Sequence, residues 1–185
     1  MSAAFSLSNH FLLAMPSQMG GYFGNTVTYI CEHSERGAFG IMVNRPTDLK
    51  VAELLEQLSP NTSFDDGIYV LEGGPVERGR GFVLHSSDVV LEDSMKMTDT
   101  LSLTTSRSIL DAISEREGPS KYLVALGYSG WGPGQLEEEM EESAWLSCPA
   151  DERVLFEVPF HDRLDAVAAL LGIDLRLLVP RRGEA

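Results

Sequence analysis

Between Phe11 and Leu126 the apolar residues of this chain come in short runs, and most of the gaps between runs are too short to hold a crossover helix. Parallel neighbours need such a crossover of about a dozen residues or more, so the pattern predicts a sheet that is antiparallel or mixed. Phe11-Leu12-Leu13-Ala14-Met15, stopped by Pro16, reads as a buried strand, with Gly20-Gly21 turning the chain. Residues 26–31 and 38–43, rich in β-branched and aromatic side chains, read as a hairpin across the polar turn Glu32 to Gly37. Further strands are expected at 68–71, 82–84, 101–103, 122–126 and 154–157, with turns around Gly73-Gly74-Pro75 and Gly79-Arg80-Gly81.

Four segments carry a helical signature. Val51, Leu54, Leu55 and Leu58 fall on one face of a helix that Asp48 could cap. Ile109, Leu110 and Ile113 follow Thr104 and Thr105, either of which could cap a second. An acidic helix is expected from Gln135, and a last one from about Leu164 to Leu171, ended by Gly172. With no repeat, low-complexity tract or linker, residues 1–185 read as one domain of α+β class.

Charge narrows the choice of partners. Asp and Glu number 28 against 14 Lys and Arg, a formal charge of −14 that repels phosphate backbones and anionic lipid at long range. The close basic pair Arg181-Arg182 makes no basic stripe, so direct nucleic-acid binding is not expected. The first residues lack the charged and apolar regions of a leader, and no run reaches the roughly 18 apolar residues of a membrane span. A cytoplasmic location away from the membrane follows as the expectation. Cys31 and Cys148 are far apart with no second thiol beside either, so both are expected reduced and packed, with no structural metal and no cofactor.

The candidate chemistry is thin. Gly127-Tyr128-Ser129-Gly130-Trp131-Gly132-Pro133-Gly134 lies between a predicted strand and a helix and reads as a glycine-rich loop. It lacks the Lys-Ser or Lys-Thr of a phosphate loop, and the helix after it opens with Glu137, Glu138 and Glu139, the wrong charge for a phosphate. Gly127-Tyr128-Ser129-Gly130 begins like a nucleophile elbow, but Trp131 stands where the last glycine belongs. His33, in Cys31-Glu32-His33, is expected in a solvated hairpin turn, and His85 at a strand end. Glu137, Glu138, Glu139, Glu141 and Glu142 read as a solvated helix face, with a basic partner or a divalent cation as the sharper alternative.

Taken in order, four segments resemble the successive motifs of the bacterial YqgE/AlgH family. They are residues 10–16, HFLLAMP; 37–46, GAFGIMVNRP; 73–76, GGPV; and 126–137, LGYSGWGPGQLE, within a match running from about His10 to Phe156. Ser129 stands where the family usually has alanine, which argues against a nucleophile there, and Ser143 where asparagine is common. The resemblance implies a bent or split, mostly antiparallel sheet forming a pseudo-barrel with helices packed outside, and it lends no reaction.

The leading functional expectation is a non-enzymatic binding or regulatory protein acting on a protein or small-molecule partner. Its expected recognition surface comprises Asn44, Arg45, Gly73, Gly74, His85, Gly130, Trp131, Gly132, Gln135 and Glu137. Trp131, flanked by glycines, is either an exposed contact or a plug over the sheet. A second expectation is an enzyme with His85 or an acid as general base beside Asn44 and Arg45. The third, a transcriptional regulator, comes with the family's name, and the charge disfavours direct contact with DNA.

Overall fold

The computed structural model describes residues 5–15, 21–60 and 66–175. Pro16, Gly20, Arg181 and Arg182 therefore lie outside the described residues. The strands are β1 (His10–Ala14), β2 (Val27–Ser34), β3 (Gly37–Met42), β4 (Pro46–Lys50), β5 (Tyr69–Glu72), β6 (Val76–Ser86), β7 (Met95–Lys96), β8 (Leu101–Thr104), β9 (Tyr122–Trp131) and β10 (Trp145–Pro149). The helices are α1 (Val51–Leu58), α2 (Arg107–Ser114), α3 (Gln135–Glu141), α4 (Glu152–Phe156) and α5 (Arg163–Leu170).

The strands run in the order β10-β1-β2-β3-β9-β6-β8-β7, with β4 and β5 attached beside β9. Every pairing is antiparallel except β5 with β9. β9 changes partners along its length: Tyr122 to Leu126 face β6, whereas Ser129 to Trp131 face β3. Gly127, at φ +80°, lies between the two halves, and this exchange splits and bends the sheet into the expected α+β half-barrel.

Alternation explains the unbroken apolar runs. Phe11, Leu13, Val27, Tyr29, Leu123 and Ala125 join the main core with Val154, Leu155, Val167 and Ala168 of α4 and α5. Their neighbours point the other way: Leu12 and Ile30 pack with Leu136 of α3, and Val124 with Val51, Leu55, Ile109 and Ile113 of α1 and α2. Strands covered on both faces need apolar side chains at successive positions, which the simple alternating pattern omits.

Several sequence expectations change. Residues 154–157 are not a strand: α4 forms there because Asp151 accepts the backbone N–H of Arg153 at 2.9 Å, an N-cap that outweighs β-propensity in a short apolar run. Asp48 lies in β4 and caps nothing, and α1 starts after Lys50. Ser106, rather than either threonine, is the N-cap of α2. Gly79-Arg80-Gly81 belongs to β6, and β4 and β10 are strands that the sequence pattern did not single out.

Candidate functional site

The expected loop 127–134 is strand as far as Trp131, because its glycines admit neighbouring backbone. A Cβ on Gly73 would lie 2.3 Å from the Gly127 carbonyl oxygen, and one on Gly74 2.1 Å from the Tyr128 carbonyl carbon. Gly73 also accepts the Met42 N–H and donates to Leu126, at 2.8 and 2.9 Å. Gly73 and Gly74 thus let the β5–β6 connection press against β9. Ser129 is buried with its hydroxyl donated to the Gly73 carbonyl at 3.3 Å, so it is not a presented nucleophile.

The other expected recognition residues divide. Trp131 is 6% exposed and packs with Phe23 and Trp145, and its indole N–H donates to Glu139 Oε2 at 2.7 Å. It is a plug. Gln135 Oε1 accepts the Gly132 N–H at 3.0 Å, a local tie at the start of α3. Glu137 holds His33, whose Nδ1 accepts the Leu7 N–H at 2.9 Å. That acceptance leaves the proton on Nε2, which donates to the Glu137 carboxylate. His33 is therefore a buried clasp on β2 and not a solvated turn residue. Of the five acids in 137–142, Glu137 and Glu139 are committed to inward contacts.

Asn44 and Arg45 brace the segment before β2. Asn44 Oδ1 accepts the Val27 N–H at 2.8 Å and its amide donates to Asn25, while Arg45 donates to the Tyr22 carbonyl and stacks on that ring at 5.0 Å. Tyr22 in turn donates to Glu72, and burial followed by this carboxylate raises its pKa. His85 is fully buried, with one ring nitrogen on the Ser86 carbonyl and Nε2 2.7 Å from Thr104 Oγ1. Burial lowers its pKa, opposed in part by the Ser86 bond and Asp88. His85 pairs with Tyr122, nine residues from Trp131 along β9. The structure thus places His85 and Trp131 at opposite ends of β9. Among the described residues no group of three His, Cys, Asp or Glu side chains is arranged to hold a metal.

What the sequence reading missed is an open groove of about 600 Å³ where β3, β6 and β9 meet. Its wall is aromatic. Phe39, Phe82 and Tyr128 form a closed triad with ring centroids 5.7 to 6.3 Å apart. The Arg80 guanidinium lies 5.3 Å from the Phe82 ring centroid and forms an exposed ion pair with Glu77. Val76 and Met95 extend the apolar rim, and both are exposed. Gly130, opposite Phe39, adds no side chain, and with Trp131 it is the part of the expected surface that borders this groove. Phe39, Phe82 and Tyr128 belong to three separate strands, and only the spread of aromatics along those runs hinted at them.

Comparison with known proteins agrees with the architecture. A family model described as AlgH-like matches residues 11–176. The chain belongs to the AlgH-like family. The AlgH-like match extends past Phe156 into α5, beyond the segments on which the resemblance rested. A relative from Pseudomonas aeruginosa, named UPF0301 protein AlgH, is 46% identical over 182 residues, 97% of this chain and 96% of its own. A UPF0301 protein of Thiobacillus denitrificans is 45% identical over 97% of this chain and 98% of its own. The solution structure of Pseudomonas aeruginosa AlgH superposes with a TM-score of 0.80 at 45% identity, covering 100% of this chain and 99% of that one. A crystal structure from Corynebacterium diphtheriae, 22% identical with a TM-score of 0.75, shares the fold over 98% of this chain and 95% of its own. These relatives' names state no reaction. No helix among the described residues is long and apolar enough to cross a membrane.

Proposed function

We propose that this AlgH-like protein works by binding, without chemistry of its own, and that the groove between Phe39, Phe82 and Tyr128 receives a protein or small-molecule partner. The aromatic triad, in which Phe39 and Tyr128 are half-buried at the groove over a buried Phe82 and beside exposed Arg80, is the observation that carries the reading. Ligand sites are concave and mostly apolar with a few placed polar groups, and this groove has that composition. A ring that buries about 150 Å² there gains roughly 4 kcal/mol before association costs, enough for measurable binding. The net charge of −14 favours a regulator that meets protein or small-molecule partners in the cytoplasm over one that contacts DNA.

The fluorescent probe anilinonaphthalene sulfonate, an aromatic anion, tests the reading. Saturable binding at one site is expected, weakened about tenfold by Arg80→Glu or Val76→Glu, both at exposed positions, with an unchanged thermal melt as the check on folding. Binding that ignores both substitutions, or none at all, overturns it.

A further inference from the structure

The β6 strand is paired along only part of one edge. Its antiparallel ladder with β8 runs from Val83 opposite Thr104 to Ser86 opposite Leu101, and the chain then leaves through Thr105 and Ser106 into α2. Beside residues 77–81 that edge of β6 has no strand neighbour among the described residues. The register with β9 also breaks between Val76 and Gly81, and Glu77 takes φ +45°, so this stretch bulges while its Arg78 backbone stays against Gly127 of β9. An open edge offers a row of unpaired N–H and C=O groups to another extended chain.

Two depressions flank that edge, one on each face. Arg80 and Phe82 turn toward the aromatic groove, whereas Gly79, Gly81 and Val83 turn toward a second hollow of about 220 Å³ formed with Leu54, Leu58 and Leu110. Thr105 borders both. The second hollow is open because of the glycines. A Cβ on Gly79 would meet nothing within 4 Å, and one on Gly81 only a Leu126 methyl at 3.9 Å. A strand added to β6 would send successive side chains alternately into the two hollows, since strand side chains alternate with period two.

From this, and resting on the reading of the groove as a binding site, we propose that the partner is an extended peptide segment that adds as a strand to the free edge of β6. Its apolar side chains fill the two hollows and its acidic side chains face Arg78 and Arg80. Main-chain hydrogen bonds would supply affinity and the alternating pockets selectivity. The charge specifies the partner. Both arginines are exposed in a chain of net charge −14, and Arg78 has no carboxylate at ion-pair distance among the described residues. A second copy of the same edge is a poorer occupant, because it sets arginine against arginine across the new pair, and directly opposed like charges destabilise.

Panning a random decapeptide library on the intact protein, with Gly81→Val as the counter-target, tests the proposal. That valine fills the smaller hollow on a backbone of ordinary φ, and an unchanged thermal melt verifies its fold. Peptides with apolar residues at adjacent positions, one for each hollow, and acids flanking them are expected. Their affinity should fall about tenfold or more on Gly81→Val, be abolished by N-methylation of alternate peptide amides, and slow hydrogen exchange at residues 78–82. Enriched peptides that bind equally well after N-methylation would reject strand addition yet leave the groove reading standing. Absence of enriched peptides while the naphthalene probe binds would reject a peptide partner alone. Sedimentation showing a dimer that Gly81→Val dissolves would give the edge to a second copy. If neither probe nor peptide binds, the groove reading falls as well.

Discussion

Trp131 and Trp145 donate their indole N–H groups to the same oxygen of Glu139, at 2.7 and 3.2 Å, with their rings edge to face 6.0 Å apart. One carboxylate on α3 therefore pins the end of β9 and the start of β10. Its other oxygen takes the Gln135 amide at 3.4 Å. A short helix of seven residues is marginal by itself, and this anchoring is what an acidic stretch such as 135–141 needs to stay helical.

Removing that acceptor strands two partly buried indole donors. Glu139→Ala is expected to cost about 2–3 kcal/mol in denaturant unfolding and to shift tryptophan emission, whereas Glu139→Gln, which retains an acceptor oxygen, costs less. Trp131→Ala empties the space between Phe23, Trp145 and Leu136 and should cost about 3–5 kcal/mol. A cost below about 1 kcal/mol for Trp131→Ala would show the ring to be dispensable for the fold.

The contrast between what could and could not be read in the sequence comes from local versus shared signals. The hairpin β2–β3, α1, α2, α3 and α5 are legible because each carries a local signal: β-branched and aromatic runs about a polar turn, an apolar helical face in α1 and α2, an acidic run in α3, and a glycine stop after α5. The end of β9 was not, since Gly127 and Gly130 look like loop residues until Gly73 and Gly74 are seen pressed against that strand. His33 looked like a turn residue because its partners, Leu7 and Glu137, lie far away in the chain. The aromatic groove was hidden for the same reason: three strands each contribute one ring, and nothing in any one strand marks it.

His85 gives a pH dependence with a definite sign. Burial holds its pKa below the ordinary value of 6.5, so under acid conditions the unfolded chain takes up a proton that the folded chain refuses. Stability attributable to this ring is complete above pH 6.5 and declines as the pH falls below it. His85→Gln should therefore show a smaller drop in melting temperature than the parent between about pH 7.5 and about pH 5.5. Equal drops would mean that other groups account for the acid sensitivity.

Arg163 is 3% exposed, and its guanidinium is held by main-chain carbonyls alone: Val158 at 3.0 Å, Leu155 at 2.7 Å and Val43 at 2.5 Å. The side chain also lies 4.6 Å from the Phe160 ring centroid. It ties α4 and α5 to the end of β3, and burial lowers its pKa to about 10. Arg163→Ala leaves three carbonyls short of a donor and opens a cavity, with an expected loss of about 3–5 kcal/mol. Arg163→Lys recovers only part, because an ammonium cannot span the three acceptors in a planar fork.

Thr28 runs the other way. It is fully buried on β2, and its hydroxyl has no hydrogen-bond partner among the described residues. A buried hydroxyl without a partner carries its desolvation cost uncompensated. Thr28→Val keeps the shape and removes the polar atom, so it should raise the unfolding free energy by about 1 kcal/mol. A loss of stability on this substitution would show that the hydroxyl is satisfied in solution.

Two glycines separated by five positions should respond oppositely to the same added methyl group. On Gly74 a Cβ falls 2.1 Å from the Tyr128 carbonyl carbon and 2.5 Å from the Ser129 nitrogen, both backbone atoms of β9 that cannot swing aside. Relief would require the β5–β6 connection to lift from β9, breaking the bond from Ser129 to Gly73 and loosening the strand that carries Tyr128. On Gly79 the same Cβ meets open space, and the backbone there has no positive φ to strain. Gly74→Ala is therefore expected to cost about 3 kcal/mol or more, and Gly79→Ala to be neutral or stabilising by up to about 1 kcal/mol through the unfolded chain. Parallel denaturant melts of the two variants measure the difference. A Gly74→Ala protein as stable as the parent would mean that the close approach of these segments, and with it the geometry of the aromatic groove, is looser than described.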